Sequence, residues 1–197
     1  MALKCASLKS TVVACCYDLK SDGATKLLET FSSSNSFHVI ELDVTKTDSV
    51  LVANKYVKNL LEKNDDLEFA ALINNCAVLC FGESEWQTKT IIEQQINVNL
   101  LGTILMTKEF LPLIRKHKSR ILNVTSHCGL RALPGLSIYG ATKAGLKSFN
   151  DCLRLELNKY GVEVVNFIPG SFVGSSNIVS KQQEYARQMK DSFTRFV

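Results

Sequence analysis

An α/β fold built on a doubly wound parallel sheet, in a single domain spanning 1–197, is what this 197-residue sequence predicts. Two observations predict it. Five short apolar runs rich in β-branched residues, at 11–16, 38–42, 69–74, 120–125 and 162–168, are each too short for a globular helix. Each therefore reads as a strand buried on both faces. Between them lie longer amphipathic helix candidates at 21–33, 46–63, 86–117 and 137–160. That alternation implies βαβ crossovers, with helices covering both sides of the sheet. No repeat, low-complexity tract or linker interrupts it.

Composition agrees. Hydrophobic residues make up 46% and charged residues 21%, which suits a globular chain and argues against wholesale disorder. The net charge of +4 is small, and the dense basic stretch Arg115-Lys116-His117-Lys118-Ser119-Arg120 falls where a helix gives way to a strand. Cations favour the negative helix end, so the stretch reads as a solvated helix C-terminus rather than a nucleic-acid surface. No apolar run is long enough to span a bilayer, and Met1-Ala2-Leu3-Lys4 does not begin a signal peptide. The seven cysteines are odd in number and dispersed, as expected of buried free thiols in a reducing compartment. No second cysteine pair or spaced histidine pair joins Cys76 and Cys80, so no metal is expected.

Three positions draw attention chemically. In the 86–117 helix, Ile92, Ile96, Asn99, Thr103, Met106 and Phe110 recur at spacings of three or four and share one face. Asn99 thus sits in an apolar stripe, where a buried amide needs partners and either braces the fold or serves a site. Tyr139-Gly140-Ala141-Thr142-Lys143 puts a phenol and an ammonium one helical turn apart. A nearby cation favours the phenolate, so it would lower the tyrosine pKa and make a usable acid or base. Ser126 follows the 120–125 strand, at the edge where parallel sheets place their ligands, and precedes Tyr139 by 13 residues.

These residues form part of an ordered set. Asp43-Val44 follows the 38–42 strand, and Asn74-Asn75-Cys76-Ala77 closes the 69–74 strand. Asn99-Leu100-Leu101-Gly102 lies in the long helix, Ser126 precedes Gly129, Tyr139 pairs with Lys143, and Pro169-Gly170 ends the last strand. In this order and spacing the chain resembles the short-chain dehydrogenase/reductase family, whose sheet is Rossmann-like. The segments 42–50 and 97–102 are similar to its retinol and 17β-hydroxysteroid dehydrogenase branch, which includes D-β-hydroxybutyrate dehydrogenases.

The resemblance implies an NAD(P)-dependent oxidoreductase that interconverts an alcohol and a carbonyl on a small lipid-like substrate. It makes Tyr139 the general acid/base and gives Lys143 the nicotinamide ribose. Ser126 would orient the substrate oxygen, and Asn99 would anchor a water in a proton relay to Lys143. Asp43 and Val44 would meet the adenine, Asn75 the adenosine ribose, and Phe172 the carboxamide. Asp18, just after the 11–16 strand, would accept from a ribose 2′-hydroxyl and repel a 2′-phosphate, which favours NAD over NADP. The family also implies a homodimer through helices 86–117 and 137–160. Its members associate with endoplasmic reticulum or mitochondria, and the compartment of this chain is unknown.

Three departures from the family pattern stand out, and the end of the sequence adds a fourth. The opening strand and its Gly-x-x-x-Gly-x-Gly turn are not found, and 1–8 resembles the later part of the first helix. Cys76-Ala77 stands in place of Ala-Gly, and Gly174 in place of a threonine. The sequence ends inside or just beyond the substrate-loop helix, without the usual closing strand. In the strand order 3-2-1-4-5-6 a missing strand 1 leaves either a gap between 11–16 and 69–74 or direct pairing of the two. The alternative function is accordingly a catalytically impaired, truncated isoform acting only as a binding or dimerisation partner.

Overall fold

The β-branched runs form parallel strands, and the amphipathic stretches cover them. The computed structural model describes residues 1–170 and 177–193, with side chains through residue 190. Two compact units divide the chain, Met1–Glu68 and Phe69–Val197.

In the first unit, β1 (Val12–Cys16) pairs in parallel with β2 (Phe37–Glu41), Val12 lying opposite Phe37. Around them are α1 (Ala2–Ser7), α2 (Asp22–Thr30) and α3 (Thr47–Glu62). Val12, Ala14 and Phe37 form the core, closed by Ala2, Cys5, Leu27 and Phe31. The Phe31 and Phe37 rings stack at 3.9 Å.

The second unit carries β3 (Ala71–Asn74), β4 (Arg120–Val124) and β5 (Glu163–Phe167), parallel and in that spatial order. Its helices are α4 (Lys89–Ile96), α5 (Thr103–His117), α6 (Ser137–Asn158) and α7 (Gln182–Phe193). The basic run ends α5 as expected: Arg115, Lys116 and His117 occupy its last turn, and Lys118 caps it in the left-handed conformation.

Among the described residues the strands form two separate sheets, β1-β2 and β3-β4-β5, so of the two arrangements expected for 11–16 and 69–74 the one without direct pairing is found. Three expectations need correction. The strands are not buried on both faces. In β5, Val164 is buried while Val165 and Phe167 are exposed, and in β1 Cys15 is exposed. Of the seven free cysteines only Cys80 is buried, because most of the others lie at strand ends or on solvated helix faces. Finally, 86–117 is not one α-helix. A π-helical turn, Asn97–Gly102, separates α4 from α5. Its wider i→i+5 winding shifts the helical phase. Ile91, Gln95 and Asn99 therefore face inward, while Ile96 is 41% exposed.

A glycine brings the β4 loop onto α6. A Cβ on Gly129 would lie 2.7 Å from the Lys143 carbonyl carbon and 2.8 Å from the Ala144 nitrogen. Backbone cannot yield there as a side-chain tip can. We expect Gly129→Ala to lower stability in urea by about 1–3 kcal/mol. Gly23→Ala, with nothing within 4 Å of its Cβ inside α2, should leave stability unchanged or raise it by up to about 1 kcal/mol.

Candidate active site

The long helix α6 buries Tyr139, Thr142, Lys143, Leu146, Asn150, Leu153 and Leu157, a single face at spacings of three and four. Four of those seven inward residues carry an amide, a hydroxyl or an ammonium, which an ordinary core face would avoid. Lys143 is 2% exposed, and its Nζ donates to the Val124 carbonyl oxygen at the end of β4 at 2.8 Å. The same ammonium lies 5.8 Å from the centroid of the Tyr139 ring. Tyr139 is 5% exposed and Ser126 8%. Ser126 lies close enough to the phenol to lower its pKa, and its Oγ accepts from the Cys128 amide at 3.2 Å. The structure thus brings Ser126, Tyr139 and Lys143 together at the C-terminal edge of β4.

Their electrostatics differ from the sequence expectation. Burial pushes the Tyr139 phenol above its ordinary value, nearby Ser126 pulls it down, and Cys128 adds a smaller upward push. The net direction is up, so the lowering expected from Lys143 is not what this chain displays. The lysine explains why: burial takes its ammonium from 10.5 to about 8, against a smaller upward influence of Cys76. An ammonium that loses its proton at about 8 is already neutral where the phenol ionises, so it does little to hold a phenolate.

Asn99, in the π turn, is buried and saturated. Its Oδ1 accepts from the Val78 amide at 2.8 Å. Its Nδ2 donates to the Val78 carbonyl at 2.8 Å and to Thr142 Oγ1 at 3.2 Å. The side chain therefore clamps the loop after β3 to α6 and has no donor left for a water. Its backbone carbonyl oxygen accepts from Thr103 Oγ1 at 3.3 Å. One turn earlier, buried Gln95 holds the same loop, accepting from the Cys80 amide at 3.2 Å. Helix α7 seals the loop from outside: Gln182 bonds both the amide and the carbonyl of Phe81, at 2.8 and 2.7 Å. Tyr139 belongs to a buried apolar cluster with Leu79 and Leu136, against which Cys128, Ile178 and Val179 pack.

The expected cofactor residues fall in both units. In the first, Asp18 is exposed just after β1, and one of its carboxylate oxygens accepts from the Lys20 amide at 2.8 Å. Asp43 follows β2, with Val44 beside it, and is committed locally. Its Oδ1 accepts from the Thr45 amide at 2.9 Å and from its hydroxyl at 2.6 Å, and Oδ2 lies 3.7 Å from Lys46 Nζ. Partial burial raises this carboxyl, but those bonds outweigh it and hold it below its ordinary value. In the second unit, Asn75 and Cys76 are exposed at the end of β3. Phe172 and Gly174 lie outside the described residues.

One arrangement escaped the sequence reading. Asn74, Asn123 and Asn166 stand opposite one another on β3, β4 and β5, and with Asn150 of α6 they form a continuous chain of amides. The available signal was an asparagine near the end of three separate apolar runs. Gln95 was missed because the π turn moves it inward.

The residues fit a nicotinamide ribose. A buried ammonium has three donors, and Lys143 has one acceptor among the described residues, so hydroxyl oxygens would complete it. No Gly-x-x-x-Gly-x-Gly turn occurs in the sequence to cradle a pyrophosphate.

Comparison with known proteins places the chain in a family. The short chain dehydrogenase family matches residues 1–185. The chain is 34% identical over 180 residues to the mitochondrial D-beta-hydroxybutyrate dehydrogenase of Mus musculus, covering 90% of this chain and 52% of that protein. It is 36% identical over 182 residues to 17-beta-hydroxysteroid dehydrogenase type 2 of Homo sapiens, covering 92% and 45%. It therefore spans about half the length of these curated relatives. The sorbitol-6-phosphate 2-dehydrogenase of Erwinia amylovora shares the fold, with a TM-score of 0.79 at 23% identity, over 96% of this chain and 73% of that one. Motif order, buried triad and family match converge: this chain belongs to the short-chain dehydrogenase family.

Proposed function

We propose that the chain is an NAD(P)-dependent oxidoreductase that interconverts an alcohol and a carbonyl on a small lipid-like substrate of steroid or retinoid type. The observation that carries this reading is the buried phenol of Tyr139, close to Ser126, overlain by the Lys143 ammonium and clustered with Leu79 and Leu136, against which Ile178 and Val179 pack. Apolar packing around a proton-handling group suits an alcohol carried on hydrocarbon. Relatives named for hydroxysteroid and hydroxybutyrate substrates point the same way.

In this reading the bound cofactor supplies or accepts the hydride. The Tyr139 hydroxyl gives its proton to the substrate oxygen on reduction and takes it back on oxidation. Ser126 Oγ donates to that same oxygen and fixes its distance from the phenol. Lys143 meets the ribose hydroxyls with the donors that Val124 leaves open. Asn99 serves the proton relay through its carbonyl oxygen, its side chain being fully engaged. Asp18 favours NAD over NADP, because an exposed carboxylate accepts from a 2′-hydroxyl and repels a 2′-phosphate. Asp43 and Val44 take the adenine side, Asn75 the adenosine ribose and Phe172 the carboxamide. A homodimer through α4–α5 and α6 would cover the exposed Leu101, Leu105 and Leu155.

Two measurements follow. With a hydroxysteroid or retinol as substrate, NADH formation by Tyr139→Phe should fall roughly 100- to 10,000-fold against the native chain; equal rates reject the assignment. The second concerns pH. Lys143 titrates at about 8 when folded and at the ordinary 10.5 when unfolded, so the unfolded chain holds the proton more tightly. Its burial costs stability below about pH 8, and the cost is relieved as pH rises toward 10.5. Measured by denaturant, the stability of the native chain relative to Lys143→Met should rise by about 3 kcal/mol from pH 7 to 10.5. A difference independent of pH contradicts the buried ammonium.

A further inference from the structure

Four side-chain amides cross the second unit in one direction. Asn74 Nδ2 donates to Asn123 Oδ1 at 2.7 Å and to Thr107 Oγ1 at 3.1 Å. Asn123 Nδ2 donates to Asn150 Oδ1, and Asn150 Nδ2 to Asn166 Oδ1. Asn166 Nδ2 then donates to Asp151 Oδ1 at 3.1 Å. Asn123 and Asn150 are completely buried, whereas Asp151 is partly exposed and also takes the Lys147 ammonium at 2.7 Å. An ionised carboxylate accepts only, so Asp151 dictates which way the Asn166 amide points, and each earlier amide must follow. Such a chain polarises along its length, and it is costly to break because its middle members see no water.

Its placement matters more than its strength. Asn150 lies seven residues after Lys143, two turns along the same buried face of α6. Their partners are adjacent on β4: Asn123 bonds Asn150, and Val124 accepts from Lys143. Two bonds from one helix face to consecutive strand residues fix the height of the helix along the strand. Ser126 lies two residues beyond Val124, and Tyr139 one turn before Lys143. Sliding α6 against β4 would therefore separate the phenol from the serine and draw the ammonium from its acceptor.

We propose that Asn123 and Asn150 are positioning residues, which through the amide chain ending at Asp151 lock α6 on β4 and so set the place of Lys143 and Tyr139 against Ser126. Its consequence for turnover rests on the oxidoreductase reading above; the locking of the helix does not.

The test replaces both buried amides at once. Asn123→Leu/Asn150→Leu removes both partners of the central bond and fills similar volume, while Asn74 keeps its bond to Thr107 and Asn166 its bond to Asp151, a change that a purely structural pair tolerates. Lysine side-chain NMR, with the Lys143 resonance assigned by its loss in Lys143→Met, follows the ammonium without needing activity. The titratable groups facing it are Tyr139 on its own helix and Cys76 on the loop after β3, with Cys128 beside the phenol. In the native chain the midpoint is about 8. In the folded double variant it should move up toward the ordinary lysine value, as α6 shifts and water reaches Nζ. A native midpoint in a folded double variant overturns the inference. Should that variant fail to fold, Asp151→Ala decides. It alters only the partly exposed end, releases the amide orientations and should move the midpoint in the same direction; an unmoved midpoint there also overturns the inference. Where the native chain turns over substrate, the double variant should lose roughly 10- to 100-fold in kcat with little change in KM. Loss of activity in the native chain itself bears on the oxidoreductase reading and leaves the titration result standing.

Discussion

A lysine ammonium almost wholly removed from water, held by one carbonyl at the end of β4, is the constraint on which the second unit depends. Burying a charge in that way is unfavourable unless partners replace the lost water. Val124 replaces one hydrogen bond and the Tyr139 ring offers its face, yet the ammonium is still pushed down to about 8. The fold thus maintains a group that would be easier to bury as leucine. Such retained cost is what the proposed binding role for Lys143 accounts for.

The elements around that lysine are arranged to leave it no freedom. Gly129 lets the β4 loop reach the α6 backbone at Lys143, which brings Ser126 to the phenol. The π turn rotates Asn99 onto Val78 and Thr142, so the loop after β3 is tied to α6 one residue from Lys143. The amides of Asn123 and Asn150 hold the helix farther along. The serine therefore sits on the β4 loop and the phenol and ammonium on α6, two pieces of backbone held together by separate anchors. On the proposed reading, a substrate oxygen and a ribose would be met without prior rearrangement of those pieces, which is the physical content of preorganisation.

Much of this was legible in the sequence, for identifiable reasons. All five strands lie where short β-branched runs predicted them, because burial of such runs leaves few alternatives. Ser126, Tyr139 and Lys143 were readable because helical spacing and the strand edge each restrict where a side chain can go. What was not legible depended on departures from regular geometry. The π turn moved the buried face from Ile96 to Gln95, a change that strict spacing of three and four cannot anticipate. Cross-strand register joined Asn74, Asn123 and Asn166, and one chain read alone carries no register. The direction of the Tyr139 shift was missed because spacing reveals that a cation is near but not that both groups are desolvated.

The central claim is that the unfilled donors of buried Lys143 are there to bind the hydroxyls of a nicotinamide cofactor. Titrating NADH fluorescence with the native chain and with Lys143→Met measures this directly. Saturable enhancement with the native chain, greatly weakened in the methionine variant, is the result the account predicts. Equal binding by the two, or no binding by the folded native chain, would contradict it.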